Sequence, residues 1–139
     1  MCLTIEKGQK ALIAEEDIIV YKLVEEFEGR YRSFYQLNPI ELGEMYLSNI
    51  KVIKSGSKED GWKITEGLHA YTTLELATSH IHILLCTWGY NAHIIKCIVP
   101  IRSRYYITGE QIASDMIKYT KEILATRKKY THEEFFRTI

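Results

Sequence analysis

The sequence predicts an α+β fold: a curved, mainly antiparallel sheet with one central amphipathic helix and a helical C-terminal region. Three observations carry that expectation. Residues 17–24 (DIIVYKLV) and 93–99 (HIIKCIV) are runs of β-branched residues bounded by charge, by a turn or by proline. Residues 67–85 (GLHAYTTLELATSHIHILL) read as a short strand, a polar turn and an amphipathic helix. The chain also carries 10 tyrosines in 139 residues, a usage that suits sheets with aromatic packing. At this length a single domain, 1–139, is expected, with 125–139 as a helical tail.

Taken in order, residues 1–16 are mixed and loop-like before the first clear strand at Asp17–Val24. Glu25–Gly29 reads as a turn, and Arg30–Tyr35 (RYRSFY) as a two-faced strand returning from it. Asn38-Pro39 marks a further turn, Leu42–Tyr46 enters a short strand, and Ile50–Lys54 alternates apolar and basic residues as a half-exposed strand. Residues 55–61 (SGSKEDG) form a flexible polar connection.

The segment 67–85 is the centre of the reading. Thr72-x-x-Glu75 fits a capping box, in which the hydroxyl and the carboxylate satisfy free amides of the first helical turn. Leu74, Ala77, Ile81, Leu84 and Leu85 then share one helix face. His69 and Tyr71 alternate on one face of the preceding strand, and a helix start presents amide donors to an anion. The helix ends near Trp88-Gly89-Tyr90-Asn91. His93–Val99 is expected at the centre of the sheet, and Pro100 closes it. Ile112, Met116, Tyr119, Ile123 and Leu124 fit a second helix face over 110–124, although the SDMIKY core of that segment also fits a closing strand.

Composition removes several function classes. Lys plus Arg equals Asp plus Glu at 18 each, so no global charge drives binding to long nucleic acid or to an anionic membrane. Cys2, Cys86 and Cys97 have no paired spacing, which argues against a disulfide framework or a cysteine-rich zinc site. His80 and His82 are two apart and fall on different helix faces, so they make no metal pair. No metal, no cofactor and no catalytic residue is expected. The apolar runs are too short to span a bilayer, and a cytoplasmic location is expected.

The pattern that points most to function is a repeated one. Arg30, Arg32 and Tyr35 in one segment, and Arg102, Arg104, Tyr105 and Tyr106 in another, each combine guanidiniums with aromatic rings. Such a combination holds phosphate by charge-assisted hydrogen bonds while stacking a base. With His69, Tyr71, Thr72 and Thr73 at the strand–helix junction forming one wall, these eleven residues are the candidate ligand-binding set.

Several short motifs also carry a resemblance: Met1-Cys2-Leu3, DIIVYK (17–22), Tyr31 with Ser33 and Tyr35, GLHAY (67–71), CIVP (97–100), Arg104-Tyr105-Tyr106 and ASDMIKY (113–119). Over roughly residues 1–120 the chain resembles the small accessory proteins of bacteriophages, prophages and their bacterial hosts. In size and class it is similar to sponge proteins that sequester cyclic-nucleotide or ADP-ribose-type immune signals. That resemblance implies non-catalytic sequestration of a small phosphorylated or nucleotide-like ligand by a homo-oligomer, as counter-defence in the host cytoplasm. A second resemblance, to ADP-ribosyltransferase-like folds, rests on Leu68–Thr73. It implies that His69 or Tyr71 lines a nicotinamide pocket with Glu110 as the polarising carboxylate. A protein-inhibitor or interaction module using the tyrosine-rich surface and Phe135-Phe136 is a third expectation.

Overall fold

The computed structural model describes residues 3–33, 39–54, 61–80 and 92–126. Among them run thirteen strands: β1 Leu3–Ile5, β2 Leu12–Ile13, β3 Ile18–Phe27, β4 Arg30–Ser33, β5 Pro39–Ile40, β6 Met45–Leu47, β7 Lys51–Ile53, β8 Trp62–Glu66, β9 Leu68–Tyr71, β10 Ala92–Val99, β11 Arg104–Ile107, β12 Gln111–Ser114 and β13 Met116–Thr126. One helix, α1, covers residues 74–80. The described structure has the expected mainly antiparallel sheet and one helix, but it is mainly β and not α+β.

The largest correction falls on 110–124, where the structure has strands β12 and β13 in place of a helix. The spacing of Ile112, Met116, Tyr119 and Ile123 fits a helix face, yet Ile117 and Tyr119 are the buried pair on β13, at the strand period of two. The pairing with β10, which sets Leu124 opposite Ile94 and Tyr119 opposite Cys97, decides the matter. Strand β13 runs on to Thr126, so the proposed tail loses its first two residues to the sheet. The rest of that tail, with Phe135-Phe136, lies outside the described residues.

The main sheet has the order β2-β11-β12-β9-β3-β10-β13-β6, with β4 paired to β3 and β5 to β4. Strand β10 is central, as its apolar run requires, with β3 on one side and β13 on the other. The β3–β4 hairpin turns at Glu28 and Gly29, with φ of 53° and 77°, the positive pair that a two-residue type I′ turn demands. Residues 25–27, expected in the turn, therefore belong to the strand, and Glu25 pairs with Arg32.

The sheet curls around a core of Val20, Val24, Ile95, Cys97, Val99, Ile112, Ile117 and Tyr119. These residues come from strands spread across the sheet, from β12 to β13, so its concave face closes on itself. Outside, α1 lays the fully buried Ala77 on Leu23, Ala92 and Ile94. A three-stranded sheet of order β1-β8-β7 packs Leu3, Ile5 and Ile64 against Ala113 elsewhere on the convex side. No helix among the described residues is long and apolar enough to cross a membrane.

Candidate functional site

The two arginine segments occupy opposite ends of the long β3–β10 ladder. Arg32 sits where Glu25 pairs with Ala92, and Arg102 follows the turn beyond Val99, which pairs with Ile18. Seven residues of strand separate those ends, about 23 Å at the usual rise. They form no single pocket.

At the first end, the Arg32 Nε contacts the Glu25 carboxylate, whose side chain is only 4% exposed. A buried carboxylate requires such a partner, so this guanidinium serves the fold. Arg30 is exposed at the hairpin tip. Tyr35 lies outside the described residues.

At the second end, the chain turns through Pro100–Ser103. The Ser103 amide donates to the Pro100 carbonyl at 3.1 Å, and the Ser103 hydroxyl donates to the same oxygen at 2.6 Å. Asp17 accepts from the Ile101 amide at 2.9 Å, and the Ala14 carbonyl accepts from the Arg102 amide at 2.8 Å. These bonds hold Arg102 at φ 75°, a left-handed conformation that glycine adopts far more readily. Asp115 accepts from the Arg104 amide at 3.0 Å. The two nearby aspartates thus serve backbone amides. Arg102 and Arg104 are exposed and form no ion pair with a described residue.

Tyr105 and Tyr106, adjacent in sequence, face opposite sides of β11. Tyr105 packs on the main core and Tyr106 on the cluster under the small sheet. Both are partly buried against the fold, so they do not form one stacking surface.

At the strand–helix junction the cap lies one residue later than the spacing predicts. The Thr73 hydroxyl accepts from the Leu76 amide at 3.2 Å. Thr72 instead ties the junction to the β11–β12 turn: its amide donates to the Glu110 carbonyl at 3.0 Å, and its hydroxyl lies 3.2 Å from the carbonyls of Gly109 and Glu110. Leu74, expected on the buried helix face, is 40% exposed. Ile81, Leu84 and Leu85 lie outside the described residues. Tyr71 packs on His80, ring centroids 4.8 Å apart.

His69 is half-buried, with Nδ1 3.1 Å from the Gly67 carbonyl and a buried Nε2 that has no hydrogen-bond partner among the described residues. Burial first, then the Lys22 ammonium, lower its pKa to about 4. The Lys22 Nζ donates to the His69 carbonyl at 2.8 Å, and burial lowers that amine to about 8. Cys97, fully buried in the core on the opposite, concave face of the sheet, is pushed up to about 12 by burial. A neutral, half-buried imidazole and a neutral, fully buried thiol are poor candidates for reaction with a solvent-borne substrate.

One cluster escapes any reading of local spacing. His93 on β10 is fully buried between two carboxylates: Nδ1 contacts Glu122 on β13, and Nε2 lies 3.1 Å from Glu26 on β3. Tyr31 on β4 donates to Glu122 at 3.0 Å and sets its ring edgewise on the imidazole at 5.3 Å. The four residues lie between positions 26 and 122 and share no motif. Only the strand pairing brings them together. Both imidazole nitrogens face carboxylates, so this histidine is tied into the fold and holds no open nitrogen for substrate.

The chain matches no family model, no curated protein and no solved structure. Among the described residues no group of three or more His, Cys, Asp or Glu side chains is arranged to hold a metal ion. Of the candidate ligand-binding residues that are described, Arg102 and Arg104 are exposed cations with no ion pair to a described residue.

Proposed function

We propose that the protein binds a small phosphorylated or nucleotide-like ligand without catalysis, using the Arg102–Arg104 corner. The observation that carries this reading is Arg102 itself. A left-handed backbone conformation costs a non-glycine residue about 1 kcal/mol or more. Here it is borne by a residue whose exposed guanidinium has no described ion partner. The turn is fixed by hydrogen bonds to Asp17 and Ala14, so the cation is presented on a rigid support. Guanidinium forks match phosphate geometry, and charge-assisted bonds of this kind contribute roughly 1.5–3 kcal/mol each.

Sequestration is preferred over turnover because, among the described residues, three groups suited to acid–base or nucleophilic chemistry are committed elsewhere. His93 is held between Glu26 and Glu122, His69 is neutral and half-buried, and Cys97 is sealed in the core. In a phage-borne setting, the ligand would be a phosphorylated host signal held out of circulation.

Isothermal titration with inorganic pyrophosphate, followed by a panel of nucleotides and ADP-ribose compounds, tests the reading. Binding that weakens at least tenfold in Arg104→Ala and falls with added salt is expected. Binding by none of the panel, or binding indifferent to Arg104→Ala, would falsify it.

A further inference from the structure

The edge strand β2 offers a way to complete that corner. It ends the main sheet, and both of its residues are open to solvent, Leu12 at 48% and Ile13 at 55%. Inward hydrogen bonding fixes which backbone groups are free. The Ala14 amide donates to the Ser103 carbonyl at 2.9 Å, and Leu12 and Ile13 sit opposite Tyr105 and Arg104. Antiparallel ladders alternate, so the Ile13 amide and carbonyl point away from β11, into solvent. The flanks differ in charge, with exposed Lys10 before the strand and exposed Glu15 and Glu16 after it. None of these three makes an ion pair with a described residue.

An edge with outward amide and carbonyl, exposed aliphatics, and a cation at one end and anions at the other is self-complementary. We propose that two copies of this chain pair antiparallel along β2, with Ile13 of each at the two-fold axis, so that Arg104 from both copies forms one composite anion site.

Only a register centred on an odd position of this strand sets Ile13 against an outward-facing mate and also opposes charge. With Ile13 on the axis, Lys10 of one copy lies across from Glu16 of the other, twice. Centring on Leu12 would place Lys10 across from Ala14, and Glu15 and Glu16 across from Gln9 and Gly8, so none of these three charges meets its opposite. Opposite charges facing across strands stabilise such a pair, and like charges destabilise it.

Arg104 is the residue opposite Ile13 on β11, and paired residues share a face of the sheet. In the joined sheet the order is β11, β2, then β2 and β11 of the second copy, so the two Arg104 backbones stand about 14 Å apart on one face, three strand spacings. Two long side chains leaning inward from that distance can hold a doubly phosphorylated group over the axis. The isologous contact closes at two copies and leaves no edge for further growth at β2. This inference rests on the anion-binding reading for its ligand, but the pairing itself does not depend on it. A strand this short makes a small interface, so a dimer of micromolar strength is expected.

The test uses sedimentation velocity of the full chain over a range of concentrations, with and without inorganic pyrophosphate. The informative variant is Ile13→Pro. The amide it removes points away from β11 and bonds to no described residue, and proline is tolerated on sheet edges, so folding survives while pairing fails. The expected result is a wild-type dimer tightened by pyrophosphate and an Ile13→Pro monomer with an unchanged melting temperature. Pyrophosphate affinity in that monomer should fall at least tenfold. Mixing Lys10→Glu with Glu16→Lys should regain both charge contacts that each variant alone makes repulsive.

A wild-type monomer at all concentrations overturns the proposal, as does an Ile13→Pro dimer. An oligomer dissolved by Leu47→Asp on the opposite edge strand β6, and not by Ile13→Pro, also overturns it. If Ile13→Pro is monomeric yet binds pyrophosphate as the wild type does, the composite site fails and the single-copy binding reading stands. If the dimer forms and neither protein binds pyrophosphate or any of the nucleotide and ADP-ribose panel, the pairing stands and both the composite site and that reading fail.

Discussion

Tyr31 on β4 and Glu122 on β13 are joined by a 3.0 Å hydrogen bond, although β3 and β10 lie between their strands. In a flat sheet those strands would be about 14 Å apart. The bond therefore measures how far the sheet curls, and buried His93 fills the hollow beneath it. Tyr31→Phe should lower stability by about 1 kcal/mol, the usual net worth of one such bond. His93→Leu should cost more, roughly 3 kcal/mol, because it leaves Glu26 and Glu122 facing each other across an apolar side chain. Urea denaturation of both single variants and the double variant checks this. A non-additive cycle is expected because the residues touch.

Acid should unfold the protein partly through His69. Its pKa is about 4 in the folded state against 6.5 for the free side chain, so the unfolded chain binds the extra proton first. Stability is then full above pH 6.5 and falls as the pH drops from 6.5 to 4. The group's whole contribution is at most about 3 kcal/mol, from 1.36 kcal/mol per unit. His69→Phe should flatten the difference in denaturation midpoint between pH 7 and pH 4.5, and an unchanged slope would show that another group governs it.

In alkali, two buried groups oppose each other. Lys22 has a folded pKa of about 8 against 10.5, so the folded state loses that proton first and stability rises between pH 8 and 10.5. Cys97, at about 12 against 9.0, does the reverse: the unfolded thiol ionises first, and stability falls above pH 9.0. The wild type should show little net change between pH 9 and 10. Lys22→Met should expose the falling limb and Cys97→Ala the rising one, each read from thermal melts at pH 8 and pH 10.

The cap on α1 gives a local test. Thr73→Ala removes the acceptor for the Leu76 amide and should cost about 1 kcal/mol. Thr72→Val leaves the cap intact and loosens the tie to the β11–β12 turn. Helical signal in far-UV circular dichroism should therefore fall at lower temperature in the first variant only.

These relationships divide by how local their signals are. β3 and β10 are legible in sequence because strands buried in the middle of a sheet become nearly continuous apolar runs. The segment 110–124 is ambiguous because Ile112, Met116, Tyr119 and Ile123 satisfy both periods. The choice is made by β10, whose residues sit some twenty to thirty positions away. The junction at 67–73 is read correctly as strand, turn and helix start, but which threonine caps depends on the carbonyls of Gly109 and Glu110, which no local pattern reveals. For the arginines, sequence identifies the cations and cannot rank them. Arg32 is spent on Glu25 by a hairpin register that the Glu28-Gly29 turn sets, whereas Arg102 and Arg104 make no ion pair with a described residue.

Arg102 offers a prediction in which fold and function move in opposite directions. At φ 75° glycine is the better residue for the backbone, and no Cβ then opposes the turn. If Arg102 were there for structure, Arg102→Gly would be neutral or beneficial in every assay. If it is there to present a cation, Arg102→Gly should raise stability by up to about 1 kcal/mol and still weaken pyrophosphate binding at least tenfold. Arg102→Lys separates charge from geometry: it keeps the strain and the positive charge but loses the planar fork, so binding should fall less than in Arg102→Gly, with no gain in melting temperature. A glycine variant that is both more stable and fully competent to bind would remove Arg102 from the site and leave Arg104 to carry it.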